Sequence, residues 1–274
     1  MKPQPTSDAE DYAIETVGLS RRFGDYLAVD RLTVRIRNGI VFGLLGPNGA
    51  GKSTIIKMLT TLLPPSSGSA TVAGFDIVTQ SRAVRSRIGY VPQMLSADGA
   101  LTGRENLRLS VALYGMGRAE AHDRISEALT FMGLDEFADK LVKTYSGGMI
   151  RRLELAQAML HRPAVLFLDE PTIGLDPTAR HSVWGRLIEL RDRFGMTILL
   201  TTHDMDEADA LCGELAILHR GIVAVIGKPD ELKASLGPDA SLDTVFEHYS
   251  GGAIEEGGRY ADVRQARSTA RRLG

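Results

Sequence analysis

Little in this chain would staple it covalently or anchor it in lipid. One cysteine, Cys212, stands among 274 residues. That excludes an internal disulfide framework and suits a reducing compartment, and the thiol is expected to serve as a small buried apolar group. No apolar run reaches the roughly 18 residues needed to cross a bilayer. The opening "MKPQPTSDAED" has no apolar h-region, so residues 1–11 read as a short flexible arm rather than a secretory signal. Net charge is −2, from 32 basic and 34 acidic residues, too balanced for the bulk positive field of a nucleic-acid binder. The 6 histidines show no metal-ligand spacing, which argues against zinc. Internal repeats and low-complexity tracts are also missing. The expectation is a protein inside the cell, meeting a membrane only through a partner or a peripheral face.

What is present is a rhythm of buried strands and helices. In "LTVRIR", Leu32, Val34 and Ile36 alternate with polar residues, the period of a half-buried strand. "IVFGLLG" is a continuous apolar run, as in a fully buried strand, and leads into a glycine-rich loop. "KSTIIKMLTTLL" then reads as a helix ended by Pro64-Pro65. Later "AVLFLD", "MTILLTT", "ELAILH" and "IVAVI" repeat the strand pattern. Strands alternating with helices predict an α/β fold around a largely parallel sheet. Residues 94–160 carry no convincing strand. Thr102 and Glu105 have capping-box spacing, and a second amphipathic helix is stopped by Gly133. An all-helical insert therefore splits the α/β unit. Two short helices are expected after Pro229.

Three clusters carry chemistry. Gly46-Pro47-Asn48-Gly49-Ala50-Gly51-Lys52-Ser53 fits G-x-x-x-x-G-K-[ST] without mismatch, and Thr54 follows. Glycines there let backbone N–H groups surround phosphates, Lys52 adds a point charge, and Ser53 offers a hydroxyl to Mg2+. "VLFLDEP" ends an apolar strand with Asp169 and Glu170. At the carboxyl end of a parallel strand, Asp169 suits Mg2+ through water, and Glu170 suits general-base activation of a water beside the terminal phosphate. The same pair also suits the cap of the next helix. His203 ends "TILLTTH", where it can steady charge on a γ-phosphate or cap helix "DMDEADAL".

Taken together, these residues resemble the nucleotide-binding subunit of ATP-binding-cassette (ABC) transporters, over roughly Tyr12 to Ser235. "GPNGAGKST" is similar to the family's Walker A and "VLFLDEP" to its Walker B with the catalytic glutamate. Gln93 in "YVPQ" matches the Q-loop glutamine that touches Mg2+. "YSGGM", with Ser146, Gly147 and Gly148, resembles the family signature, and "GLDP", with Asp176, the D-loop. His203 resembles the switch histidine, and Phe23 sits where the family stacks an aromatic ring on adenine. The resemblance implies a RecA-like P-loop core spanning 12–236 with a mostly parallel sheet. It also implies an N-terminal antiparallel β subdomain, the helical insert over about 94–160, and a C-terminal extension over 237–274. ATP and Mg2+ are the implied cofactors. The implied partners are a second copy bound head to tail, sandwiching two ATPs, and a separate transmembrane permease at the cytoplasmic face of the membrane, with no nucleic acid.

The second glycine-rich helix start then has a purpose. Ser146 can cap the helix while Gly147 and Gly148 leave N–H groups open to a partner's γ-phosphate, and Met149, Leu153, Ala156 and Leu160 follow as a core-facing stripe. The sequence departs from the usual signature at its first and fifth positions, Tyr145 and Met149, where the family has leucine and glutamine. Phe23 lacks a hydroxyl, so adenine recognition is expected to be loose. "YSGGMIRRLELA" and "SLDTVFEHYSG" resemble the daunorubicin-resistance-like group of drug-export ATPases. Leu242–Phe246 then belongs to an assembly-associated region or is an ordinary packing helix. Arg264, Arg267 and Arg271 form either a lipid-facing stripe or a solvated tail. The alternative function is a soluble ABC ATPase acting on ribosome or DNA. A P-loop kinase would have no use for "YSGGM" and "GLDP".

Overall fold

The computed structural model of the chain describes residues 11–250. Residues 1–10 and the arginines at 264, 267 and 271 lie outside the described residues. The architecture is α/β: an antiparallel sheet, a mostly parallel sheet, and a helical insert between two of the parallel strands.

The first strands, β1 (Tyr12–Phe23) and β2 (Tyr26–Arg37), form a hairpin. In β2 the expected alternation holds, with Leu32, Val34 and Ile36 buried and Thr33, Arg35 and Arg37 exposed. Next come β3 (Val41–Leu45), α1 (Lys52–Leu59), β4 (Ser67–Val72), β5 (Phe75–Asp76), α2 (Ser81–Arg87) and β6 (Ile88–Val91). The insert follows as α3 (Gly103–Leu113), α4 (Arg118–Met132) and α5 (Gly147–Met159). The chain then returns through β7 (Val165–Asp169), α6 (Pro177–Phe194), β8 (Thr197–Thr202), α7 (Met205–Leu211), β9 (Glu214–His219), β10 (Ile222–Gly227), α8 (Pro229–Leu236) and α9 (Leu242–Ser250).

The antiparallel sheet runs β2-β1-β4-β5, and the other runs β10-β9-β3-β8-β7-β6, parallel except for the β10–β9 pair. Successive side chains of the parallel strands feed opposite cores, as a period of two requires. Phe42, Leu44, Phe167 and Leu199 pack with Ile55, Ile56 and Leu59 of α1 and with Ile14 and Ile36 of the antiparallel sheet. Val41, Leu45, Leu166, Leu168 and Leu200 pack with Leu153 and Ala156 of α5 and Val183 and Leu187 of α6. Burial on both faces is why these strands are unbroken apolar runs.

The insert begins and ends as the capping residues dictate. Thr102 accepts from Glu105 N–H while the Glu105 carboxylate accepts from Thr102 N–H, a complete capping box. Gly133 closes α4 at φ 62°.

Two expectations are corrected, and at a third place an open alternative meets the structure. Helix α1 stops at Leu59, well before Pro64-Pro65: Thr60 Oγ1 donates back to Ile56 O at 2.8 Å, and Thr61 turns left-handed at φ 63°. Helix α5 is buried on more than the expected stripe, because Arg151, Glu154 and Leu155 are also buried. At Leu242–Phe246 the packing reading prevails. Leu242, Val245 and Phe246 are buried in the chain's own core, so those side chains are not free for another subunit.

Candidate active site

Three neighbouring strands deliver the site. β8 lies between β3 and β7, and all three run parallel, so their carboxyl ends share one edge. β3 ends in the phosphate loop, β7 in Asp169 and Glu170, and β8 in Thr201, Thr202 and then His203. This is the edge at which open α/β sheets hold ligands.

The loop after β3 bends into α1 through Gly51, at φ 104°. A Cβ on Gly51 would meet Ala28 O at 2.5 Å, so glycine is required by the packing of the loop on β2 as well as by its backbone angle. No side chain caps α1, which leaves its first N–H groups for an anion. A cleft of about 270 Å³ opens there, lined by Pro47–Thr54, Phe23, Tyr26, Ala28, Gln93 and Glu170. The fit to a nucleoside triphosphate is one of chemistry: an uncapped helix start and a lysine at one end, aromatic rings at the other.

Within the cleft the charged groups hold one another. Lys52 Nζ donates to Gly46 O at 2.6 Å and pairs with Glu170 Oε1 at 3.2 Å, with the two side chains only 6% and 7% exposed. His203 Nδ1 lies 2.7 Å from Glu170 Oε2. Glu170 is thus engaged from both sides. Ser53 Oγ donates to Asp169 Oδ1 at 2.9 Å, and Thr201 Oγ1 donates to the same oxygen at 2.7 Å. Glu170 itself stands in the left-handed region, at φ 51°.

The capping alternatives of the sequence reading fail at both acids and at His203. Asp176 is the N-cap of α6, accepting from Ala179 N–H at 2.9 Å, and Asp204 is the N-cap of α7, accepting from Glu207 N–H at 3.1 Å. Of the three, Glu170 lines the cleft, and Asp169 and His203 join it through Ser53 and Glu170.

Other residues stand elsewhere. Ser146, Gly147, Gly148 and Asp176 do not line the cleft. Ser146 caps α5 as expected, with Met149 N–H donating to its Oγ at 3.3 Å. Gly148 is buried, and a Cβ there would lie 2.8 Å from Ala179 Cβ, so its lack of a side chain serves the contact of α5 with α6. Gly147 remains exposed. The starts of α5 and α6 therefore sit together, and none of these four residues lines the cleft.

Gln93 is exposed, but its carbonyl is fixed. Arg151, buried on α5, donates to Gln93 O and Pro92 O, each at 2.8 Å, and to Glu154 Oε2 at 2.9 Å. Glu154 also accepts from Ser96 N–H and from Ser96 Oγ. Burial pushes the Arg151 pKa down, against the pull of Glu154.

Sequence reasoning missed two neighbours of the cleft. Tyr26 pairs across the hairpin with Phe23, and its hydroxyl donates to Gly49 O at 3.4 Å. The Gly24-Asp25 turn between two aromatics was the available signal. Tyr26 also supplies the hydroxyl that Phe23 lacks, while Arg21 stands 4.6 Å over the Phe23 ring and takes one of its faces. The second missed residue is Thr201, whose hydroxyl touches both acids.

Known proteins resemble this chain in sequence and in fold. Residues 29–173 match the family described as ABC transporter. The daunorubicin/doxorubicin resistance ATP-binding protein DrrA of Streptomyces peucetius is 47% identical over 237 residues, covering 86% of this chain and 70% of that protein. The Nod factor export ATP-binding protein I of Sinorhizobium fredii is 45% identical over 246 residues, covering 89% and 70%. A solved ATP binding subunit of an ABC transporter superposes with a TM-score of 0.77 at 31% identity, covering 86% of this chain and 99% of that one.

Proposed function

The chain belongs to the ABC transporter family as an ATP-hydrolysing subunit, and from that premise we propose that it powers export of a drug-like or hydrophobic compound through a separate membrane subunit. The observation that carries this reading is the separation of two half-sites. Lys52, Ser53, Asp169, Glu170 and His203 are joined by hydrogen bonds and an ion pair at one strand edge, while Ser146–Gly148 and Asp176 do not line the cleft beside that cluster. A second copy, bound head to tail, supplies the missing wall.

In this mechanism Pro47–Ser53 and the start of α1 bind the phosphates of ATP, and Phe23 with Tyr26 takes the base. The incoming γ-phosphate competes with Glu170 for Lys52. Once Lys52 turns to phosphate, Glu170 is free to accept a proton from the attacking water, with His203 orienting its other oxygen. Ser53, Gln93 and Asp169 offer hard oxygens of the kind Mg2+ takes alongside nucleotide phosphates, and no cluster of acidic or sulfur ligands among the described residues competes for it. Those three residues would hold Mg2+, which would supply positive charge to the β- and γ-phosphate oxygens. Ser146 and the N–H of Gly148 address the partner's γ-phosphate, and the dimer reopens after hydrolysis.

The working unit is residues 12–236, with the helical piece at 94–160 transmitting force through Gln93. No helix among the described residues is long and apolar enough to cross a membrane, so we place the chain peripherally on the cytoplasmic face. A cleft of about 450 Å³, lined by Leu62, Tyr90, Leu113, Tyr114 and Gln157 between α3 and β6, is where this reading seats the membrane subunit. The export and resistance names of the relatives favour this reading over action on ribosome or DNA.

The test is Glu170→Gln. It keeps the side-chain shape and removes the base, so turnover should fall by about 100-fold or more, within the range general bases contribute, while ATP binding persists and a nucleotide-bound dimer accumulates on a sizing column. Wild-type turnover in that variant would end the base assignment. A variant that stays monomeric with ATP would end the head-to-tail reading.

A further inference from the structure

We propose that Thr201 is a positioning residue for ATP hydrolysis, its hydroxyl holding the Asp169 carboxylate and the Glu170 backbone in one fixed relation. This rests on the reading of Glu170 as the base and adds what aims it. Thr201 is fully buried on β8, in register with Asp169 on β7. Its Oγ1 donates to Asp169 Oδ1 at 2.7 Å and accepts from Glu170 N–H at 3.0 Å. A hydroxyl has one proton to give, and here that proton goes to a carboxylate, which makes the oxygen a better acceptor for the second bond. Asp169 Oδ1 also accepts from Ser53 Oγ. A continuous chain of hydrogen bonds thus runs from Ser53 at the head of α1, through Asp169 and Thr201, to Glu170.

The backbone shows what the chain holds in place. Glu170 adopts φ 51°, a region that residues with a Cβ avoid. Its N–H is shared between Thr201 Oγ1 and Thr201 O, the latter at 3.1 Å. The turn ends the strand direction at Asp169 and sends the Glu170 carboxylate to Lys52 and His203. Removing the hydroxyl leaves the carbonyl bond, so the fold survives. It takes from Asp169 one of the two hydroxyls that donate to its Oδ1, and from Glu170 the bond that ties its peptide to Asp169. The adjacent Thr202 serves a different structure: its Oγ1 accepts from Asp204 N–H at 2.9 Å, at the start of α7.

The full-length protein tests this with two pairs that differ only by the hydroxyl: wild type against Thr201→Val, and Thr201→Ser against Thr201→Ala. Three quantities are measured: kcat and KM for ATP, the affinity of a fluorescent ATP analogue with and without Mg2+, and melting without nucleotide. Loss of one charge-assisted hydrogen bond at the acids should lower kcat about tenfold or more within each pair, with KM changed by less than about threefold. The gain in analogue affinity on adding Mg2+ should shrink in the Val and Ala variants and persist in Ser. A residue that merely fills the strand would show equal kcat for Ser and Ala, with losses following melting temperature, and that result overturns the proposal. If Thr201→Val does not fold, the Ser–Ala pair decides alone. Glu170→Gln separates the two ideas: a slow Glu170→Gln beside undiminished Val and Ala variants sinks the role of Thr201 only, whereas a fast Glu170→Gln sinks the base.

Discussion

Replacing Gly148 by alanine tests whether the signature glycine acts through the contact between two helices. The added Cβ would stand 2.8 Å from Ala179 Cβ, whereas ordinary contact begins near 3.4 Å, so α5 and α6 must part by about 0.6 Å. Both groups are backbone-anchored, and neither has a flexible end to swing away. Overpacking of this kind costs about 1–3 kcal/mol. For a chain of this size each kcal/mol lowers the melting temperature by about 2–4 °C. The phosphate loop is untouched, so affinity for an ATP analogue should hold within about threefold. Hydrolysis should fall further than stability suggests. A misplacement near 1 Å costs about 100-fold where groups must be aligned, and the start of α5 carries Ser146. Ala179→Gly removes the opposing methyl and should restore turnover in the double variant, at a small stability cost because Ala179 lies in the first turn of α6. Melting curves, analogue binding and steady-state hydrolysis read these effects. If Gly148→Ala is as active as wild type, the contact does not matter. If Ala179→Gly fails to restore activity while melting recovers, the alanine acts on the phosphate side and the packing argument is wrong.

Two further predictions address buried charge. Burial raises the Glu207 pKa above the usual carboxylate range, with Asp204 adding to the rise, while Thr172, Thr202 and Trp184 donate to the carboxylate and oppose it. A raised folded pKa means that stability falls as pH climbs from the ordinary carboxylate range through the folded value. Glu207→Gln keeps an acceptor for Thr172 and Trp184 and should flatten that fall, so it should be at least as stable as wild type at pH 8; a variant weaker at pH 8 than at pH 5, relative to wild type, reverses the sign and refutes it. Trp184 Nε1 donates to Glu207 at 3.0 Å and is the chain's 1 tryptophan, so its emission follows the unfolding. Arg151→Met should destabilise by about 3–5 kcal/mol in urea, because it strands buried Glu154. Adding Glu154→Leu should recover part of that loss, and additive losses would show that the pair is not coupled.

The phosphate loop was legible because it is local: one stretch of sequence sets its backbone, and the apolar run of β3 ends where the loop begins. Asp169, Glu170 and His203 were legible for a related reason, since each stands where a buried strand stops. Contacts between distant segments were not. The Lys52–Glu170 pair joins the end of one strand to the start of a helix on another, and nothing in either segment shows it. Arg151 and Glu154, three apart on a helix, are buried because Pro92, Gln93 and Ser96 fold over them, a contact that their own segment does not show. Gly148 was read for its open N–H; that its missing side chain also makes room for Ala179 depends on a distant segment. The end of α1 was misplaced because prolines are conspicuous breakers, while the hydroxyl of Thr60 and the left-handed Thr61 end the helix earlier without a sequence signal of comparable strength.

The pairing of Lys52 with Glu170 ties binding to chemistry. Two opposite charges this little exposed stabilise each other, and either one alone would bear an uncompensated desolvation cost. Without nucleotide the base is therefore occupied, and water beside it meets a carboxylate already shared with a lysine and a histidine. A triphosphate that draws Lys52 away leaves Glu170 with His203 as its partner. In the proposed mechanism Glu170 then becomes a base when substrate arrives, because the same cation answers to both anions. In the proposed dimer the γ-phosphate is also held from its far side. This chain's Ser146 and Gly147 do not line its own cleft. In the proposed head-to-tail dimer, two safeguards against futile turnover would follow: an electrostatic one inside each copy, and a geometric one that a second copy removes.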